Sequence, residues 1–101
     1  MRKRDPLPVH FVVILHERLR KDLIRIARAG RKDIVRKAAE MLERLQDDPY
    51  THRSGMVIRR LRGFAEPVFR IRIGEYRLVY VIDEKERKIL ATSLVHREQS
   101  Y

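Results

Sequence analysis

The spacing of apolar residues changes its period along the chain, and each change predicts a new element. Residues 9 to 15, VHFVVIL, form a nearly continuous β-branched and aromatic run, which predicts a strand buried on both faces of a sheet. From His16 the apolar positions recur every three or four residues, which predicts a helix that ends at Gly30. A second stripe of the same period ends before Pro49 and predicts a second helix. Because the break between them is short, we expect the two helices to form a hairpin that lays its apolar face on a sheet.

The second half of the chain predicts further strands. Residues 50 to 67 contain two glycines and end in a proline, so we expect a loop there. Three strands are expected after it, at about residues 68–73, 76–83 and 88–95. A Gly74-Glu75 turn joins the first two, and the charged loop EKER joins the last two. The order β-α-α-β-β-β predicts one α+β domain, a two-helix hairpin packed on a small, mostly antiparallel, four-stranded sheet.

Alternation along the first predicted hairpin places three arginines on the face away from the helices. A two-residue turn sets Arg72 directly opposite Arg77, and Arg70 shares their side of the sheet. The same register turns Tyr76 and Tyr80 toward the helices. Like charges directly opposite each other cost of order 0.2–1 kcal/mol, so a sheet selected for stability alone favours other residues there.

The charge of the chain strengthens this observation. Twenty-four lysines and arginines against fourteen acids give a net charge of +10, and arginine grips phosphate with two hydrogen bonds. Residues 53 to 77 hold seven arginines and only two acids, Glu66 and Glu75. We interpret this concentration as a concave anion site whose counter-charge comes from a ligand. The alternative is an exposed sheet face with solvated arginines.

The predicted helices are basic as well. Their basic residues are Arg18, Arg20, Lys21, Arg25, Arg28, Arg31, Lys32, Arg36 and Lys37. Such a surface is either an ordinary solvated face or a dedicated contact surface.

Several classes of protein are disfavoured by composition. The absence of cysteine excludes disulfides and thiolate metal sites and fits a reducing cytoplasm. The four histidines are scattered and no HExxH motif occurs, so we expect neither a metal site nor another cofactor. No apolar run approaches the ~18 residues of a membrane span.

The residues from Leu61 to Tyr101 carry a family resemblance. The pattern LRG, then FRIRIGEYRLVYVID, then HR followed by a tyrosine resembles the RelE branch of the RelE/ParE toxins. The upstream strand and helical hairpin match that family's layout, so the likeness implies a single RelE-like toxin domain over residues 1–101. Toxins of this branch are small ribonucleases of toxin–antitoxin pairs that cut messenger RNA in the ribosomal A site without metal. The ribose 2′-hydroxyl attacks the adjacent phosphate and leaves a 2′,3′-cyclic phosphate and a 5′-hydroxyl.

The resemblance also implies roles for individual residues. The implied catalytic positions are Arg70, Arg72, Arg77, Arg97 and Tyr101, and Arg62 of the LRG motif matches a basic position near the same site. We predict that Arg62 binds RNA together with Arg59, Arg60 and His96. Arg70, Arg72 and Arg77 suit the stabilisation of a phosphorane, since arginine stays charged at any working pH. By resemblance Tyr101 orients or deprotonates the 2′-hydroxyl, and Arg97 stabilises or protonates the leaving group. Some relatives have lysine where this chain has Arg70 and Arg72, which moves the role of base to Tyr101 or His96.

Two other functions stay open at this point. A ParE-like toxin has the same fold and poisons DNA gyrase without cutting RNA. A non-catalytic RNA-binding module is the third possibility, although no array of exposed aromatic residues is evident in the sequence. The toxin reading implies a cognate antitoxin whose amphipathic helix covers the arginines and the C-terminal segment. It also implies the ribosome and messenger RNA as partners, with ribosomal RNA contacted by the basic helices, and no membrane.

Overall fold

The computed structural model describes residues 10–99, in which two helices cover one face of a five-stranded sheet. Its elements are β1 (Val12–Leu15), α1 (Glu17–Arg28), α2 (Lys32–Leu45), β2 (Ile58–Arg60), β3 (Val68–Ile73), β4 (Tyr76–Asp83), β5 (Lys88–His96) and a short 3-10 helix (Arg97–Gln99). The strands lie in the order β1-β5-β4-β3-β2, with β1 parallel to β5 and the other neighbours antiparallel. The α+β class, the helical hairpin and the mostly antiparallel sheet are thereby confirmed.

The prediction of four strands is wrong, because the segment expected to be a loop contains β2. This strand has three residues and pairs antiparallel with β3, so that Ile58 lies opposite Ile71. Only Ile58 of the three is buried. A three-residue strand with one buried residue shows no alternation of apolar and polar residues in the sequence. Its formation depends on pairing with β3, which follows later in the chain, so it could not be predicted locally.

The position of β1 also differs from the prediction. Residue 9 lies outside the described residues, and the strand starts at Val12 at one edge of the sheet, where β5 is its neighbour. Val13 and Leu15 pack on the core, whereas Val12 and Ile14 are 58% and 41% exposed on the other face. A strand buried on both faces was therefore the wrong interpretation of this β-branched run, because the helices cover one side of the sheet.

The helical hairpin begins and turns where the sequence predicts. His16 caps α1, and its Nδ1 accepts a hydrogen bond from the backbone N–H of Arg18 at 3.0 Å. The chain turns after α1 at Gly30, whose φ of 87° is readily adopted by glycine. The buried apolar residues of the two helices are Leu19, Ile26, Ile34, Ala38, Leu42 and Leu45. Neither helix is long and apolar enough to cross a membrane, as is true of every helix within residues 10–99.

Aromatic residues hold the segment between α2 and β2 against the sheet. Tyr80 is fully buried and stacks on Phe69, with ring centroids 5.8 Å apart. Burial raises the pKa of Tyr80 well above its ordinary value, so the hydroxyl keeps its proton and donates to the carbonyl oxygen of Pro49 at 2.9 Å. The ring of Tyr50 meets Phe69 edge-on at 6.1 Å. These contacts fix the start of the segment that leads into β2.

Candidate functional site

Four arginines share the sheet face that the helices leave open. Arg72 lies directly opposite Arg77 across β3 and β4, which confirms the predicted register. Arg59 lies directly opposite Arg70 across β2 and β3. Because Arg70 and Arg72 are two residues apart on β3, both pairs point to the same side. Arg59, Arg70, Arg72 and Arg77 are called the arginine face below. Since adjacent strands are about 4.8 Å apart, it concentrates four guanidinium groups on three neighbouring strands.

The turn between β3 and β4 sets this register. Gly74 and Glu75 form a two-residue connection between Ile73 and Tyr76, which pair with each other. Gly74 has a φ of 59°, a conformation that glycine adopts without strain. A shift of one residue would send the arginines into the core, so the turn determines where their charges lie.

The two acids nearest in sequence do not form ion pairs with Arg59, Arg72 or Arg77 of the arginine face. Glu75 lies 3.7 Å from Arg31, at the turn between the helices. Glu66 lines a separate apolar cleft beside Pro67, at the β1 side of the sheet. Within residues 10–99, no ion pair joins a carboxylate to Arg59, Arg72 or Arg77. These charges therefore lack a counter-ion from the described part of the chain.

Arg77 has a further unsatisfied group. Its side chain is half-buried, and its Nε is buried without a hydrogen-bond partner among the described residues. The neighbouring Val79 and Val95 on the same face are each 5% exposed, which explains why water is excluded from the root of the guanidinium. A buried donor without an acceptor costs about 1–3 kcal/mol.

A cleft lies along one side of the arginine face. It has a volume of about 310 Å³ and is lined by Gly55, Val57, Arg59, Arg70 and Arg72. We call it the inner cleft. The arginines are the charged residues of this lining, and Gly55 and Val57 are uncharged. Three guanidinium groups beside uncharged residues suit a phosphate group and the sugar attached to it.

Arg60 and Arg62 lie around the β2 edge. Arg60 points to the side opposite Arg59, with its guanidinium carbon 6.0 Å from the centre of the Phe69 ring. Arg62 is exposed on the loop after β2 and shares a cleft with Arg59 and Arg60. Of the three arginines predicted to bind RNA, Arg59 thus belongs to the arginine face, whereas Arg60 and Arg62 lie next to it.

The residues predicted near the C-terminus are placed differently. His96 lies opposite Tyr76 on β4, with ring centroids 5.3 Å apart, and therefore on the side of the sheet that faces the helices. The register does not bring it to the arginine face. Arg97 is exposed at the start of the 3-10 helix, and its backbone N–H donates to the carbonyl oxygen of Glu75 at 2.7 Å. Tyr101 lies outside the described residues.

Sequence reasoning missed two features of this surface. It named Arg59 as an RNA-binding residue but did not place it across from Arg70, because β2 was not predicted. It gave no role to His52, which lines the cleft with Arg59 and Arg62. Among residues 10–99, no group of three or more histidines and acids is arranged to hold a metal ion.

Comparison with known proteins decides the family. Residues 13–101 match the model of the ParE toxin family of type II toxin–antitoxin systems, parDE. The chain belongs to the RelE/ParE superfamily of type II toxins. This toxin is 33% identical over 91 residues to a Methanocaldococcus jannaschii protein named as a candidate RelE1 toxin, covering 90% of this chain and 94% of the relative. The predicted resemblance is therefore confirmed.

Solved structures agree on the fold of the toxin. The RelE–RelB complex of Pyrococcus horikoshii OT3 is similar with a TM-score of 0.72 at 23% identity, covering 90% of this chain and 99% of that one. The RelBE2 toxin–antitoxin complex of Mycobacterium tuberculosis is similar with a TM-score of 0.69 at 25% identity, covering 87% and 99%. The helical hairpin on a five-stranded sheet is thus the architecture of RelE-type toxins.

Proposed function

We propose that this toxin is an endoribonuclease that cuts messenger RNA in the ribosomal A site without a metal ion. The observation that carries the proposal is the arginine face, in which Arg72 and Arg77 stand side by side with no carboxylate of residues 10–99 to pair with them. Holding like charges together costs free energy in the unbound protein, and a phosphate offsets that cost when it binds.

The reaction proposed for this site is a transfer within the RNA. The 2′-oxygen attacks the adjacent phosphorus, the bond from phosphorus to the 5′-oxygen breaks, and a 2′,3′-cyclic phosphate and a 5′-hydroxyl result. The phosphorane formed on the way carries extra negative charge on its equatorial oxygens. Arg72 and Arg77, which lie directly opposite each other, offer fixed positive charge to those oxygens. Arg70, which lines the inner cleft, contributes to the same anion site.

Proton transfer is assigned to the C-terminal residues on the basis of the family resemblance. Tyr101 takes or orients the proton of the 2′-hydroxyl, and Arg97 stabilises or protonates the leaving 5′-oxygen. The position of His96 on the other side of the sheet favours Tyr101 over His96 in the first role. Neither tyrosine nor arginine is a strong acid or base near pH 7, so we expect the ribosome to contribute by positioning the messenger.

The proposal includes the partners of the toxin. The P. horikoshii and M. tuberculosis relatives were solved as complexes with antitoxins, which supports a cognate antitoxin here. An acidic antitoxin suits the net charge of +10 and would compete with RNA for the arginine face. The basic surfaces of α1 and α2 are proposed to contact ribosomal RNA, and the toxin is proposed to act in the cytoplasm.

Mapping the cut sites on a defined messenger tests this function. We expect purified toxin to produce new 5′ ends inside A-site codons of ribosome-bound messenger, with 5′-hydroxyl termini. Arg97→Ala and Tyr101→Phe are each expected to reduce cutting at least about a hundredfold, the lower end of what a positioned acid–base group contributes. The measurement is primer extension on programmed ribosomes. An intact messenger at saturating toxin would contradict the proposal.

Inhibition of DNA gyrase is the second candidate function. It is favoured by one observation, the match of residues 13–101 to the ParE toxin family. A supercoiling assay distinguishes the two candidates: linear DNA trapped on gyrase together with intact messenger would select the gyrase function.

A further inference from the structure

A second cleft continues from the arginine face around the β2 edge of the sheet. It has a volume of about 500 Å³ and is lined by His52, Val57, Ile58, Arg59, Arg60 and Arg62. We call it the outer cleft. Val57 and Arg59 line both the inner and the outer cleft, so the two are contiguous. A polymer that enters one cleft can therefore continue into the other without leaving the protein surface.

His52 is held in one orientation in the outer cleft. Its Nδ1 accepts a hydrogen bond from the backbone N–H of Ile58 at 3.0 Å. Because Nδ1 is an acceptor, the neutral ring carries its proton on Nε2. The loop thus presents a fixed N–H donor in the cleft that Arg59 also lines.

The outer cleft also has an apolar part. Val57 is 52% exposed and stands between the two clefts. The inner cleft has a volume near the lower end of small-molecule sites, so one nucleotide fills it. The next unit of a strand would meet an apolar side chain, a ring donor and two guanidinium groups. A nucleotide offers the complementary chemistry, a flat base with hydrogen-bonding edges and a phosphate.

We propose that the outer cleft binds the nucleotide next to the scissile one in single-stranded RNA, with Arg59 on the shared phosphate and His52 as donor to the neighbouring nucleotide. This inference rests on the proposed function, because it assigns the scissile phosphate to the arginine face. It names His52, Val57 and Arg59 as residues that select and position the messenger strand. They act by binding and take no part in proton transfer.

A ladder of uncleavable RNAs tests the proposal. The probes are 2′-O-methyl oligonucleotides of two to six nucleotides, lengthened separately at the 5′ and 3′ ends, and affinity is measured by competition against a fluorescent hexamer. At one end, one added nucleotide is expected to raise the affinity about tenfold, as an ordinary base or phosphate contact does. The salt dependence of binding should steepen by roughly one phosphate contact at the same step.

The variant is designed to keep the loop intact. In His52→Asn the amide oxygen replaces Nδ1 as the acceptor for the Ile58 amide, and the Nε2 donor is lost. Arg59→Gln removes one charge, and the double variant carries both substitutions. In the double variant the tenfold step should fall below about twofold. Shorter probes should weaken in it only by the one phosphate contact of Arg59, which also lines the inner cleft, and in His52→Asn alone they should bind as before. Lys85→Gln is the control, because it removes one charge on the loop between β4 and β5, at the opposite end of β4 from Arg77. Thermal melting checks that all variants fold.

The outcomes separate this proposal from the proposed function. If the double variant still gains about tenfold in affinity from the added nucleotide, the outer cleft is not a nucleotide site, even if the messenger is cut on ribosomes. A step that disappears in the variant supports the site, and it does so even if the messenger stays intact, in which case the proposed cleavage fails and RNA binding stands. Wild-type toxin with no affinity for any probe would overturn the outer-cleft proposal.

Discussion

Replacement of Arg77 by alanine is expected to lower the rate of messenger cleavage about 10²–10³-fold, the loss typical of removing one preorganised donor to a transition-state oxyanion. Arg77 is half-buried on the arginine face, and no carboxylate of residues 10–99 pairs with its guanidinium, so its charge is left for a ligand. The unfolding free energy should stay within about 1 kcal/mol, because lost packing of the side-chain stem is offset by relief of the repulsion from Arg72. We expect activity to fall without a matching loss of stability.

Single-turnover cleavage on programmed ribosomes and chemical denaturation measure the two effects. Arg77→Lys keeps the charge and loses the planar fork, so its rate should lie between wild type and alanine. Lys85→Ala, which removes a charge far from the site, should leave the rate unchanged. A rate for Arg77→Ala within about threefold of wild type would remove Arg77 from the reaction.

Replacement of Asp22 by alanine is expected to have the opposite signature, a stability loss of about 2–4 kcal/mol that affects activity only through folding. Asp22 of α1 is 4% exposed and accepts hydrogen bonds from the backbone N–H of Leu94 and from the Arg25 guanidinium, both at 2.9 Å. The bond to β5 has a structural cause. β1 pairs with β5 only as far as Ala91, so the edge of β5 beyond that residue has no strand beside it. Asp22 satisfies an amide that the truncated strand leaves open.

Differential scanning calorimetry is the measurement for this substitution. For a domain of this size the loss corresponds to a decrease of roughly 10–25 °C in Tm. Asp22→Asn keeps an acceptor for the Leu94 amide and loses the charge beside Arg25, so it should lose less than half as much. Equal losses for alanine and asparagine would show that the carboxylate charge, and not the hydrogen bond to β5, is what stabilises this contact.

The register of β3 and β4 was predictable from sequence because its determinants are local. Apolar and basic residues alternate next to Gly74-Glu75, from Phe69 to Ile73 and from Tyr76 to Leu78. This pattern favours one register, and that register placed Arg70, Arg72 and Arg77 together. Glu75 and Glu66 were also identified as the acids nearest in sequence to these arginines. The ion pair between Glu75 and Arg31 could not be predicted from the sequence.

The parts that were missed depend on tertiary partners. Arg59 joins the arginine face because three residues add to the edge of β3, and no local signal marks so short a strand. The orientation of His52 depends on an amide six residues away in a segment without periodicity. The buried Asp22 lies on a polar position of the α1 pattern, and its partner is 72 residues further along the chain. Each of these contacts joins segments whose relation appears only after the sheet has formed.

The most direct test of the central claim, that the arginine face receives the phosphate of RNA, is an NMR titration of the arginine Nε–Hε signals. The toxin is labelled with ¹⁵N-arginine and titrated with the uncleavable 2′-O-methyl hexamer, and the signals are assigned with Arg72→Lys and Arg77→Lys variants. We expect Arg77 and Arg72 to show the largest shifts, because their guanidinium groups bind phosphate oxygens. Shifts confined to the arginines of α1 and α2, with Arg72 and Arg77 unchanged at saturation, would contradict it.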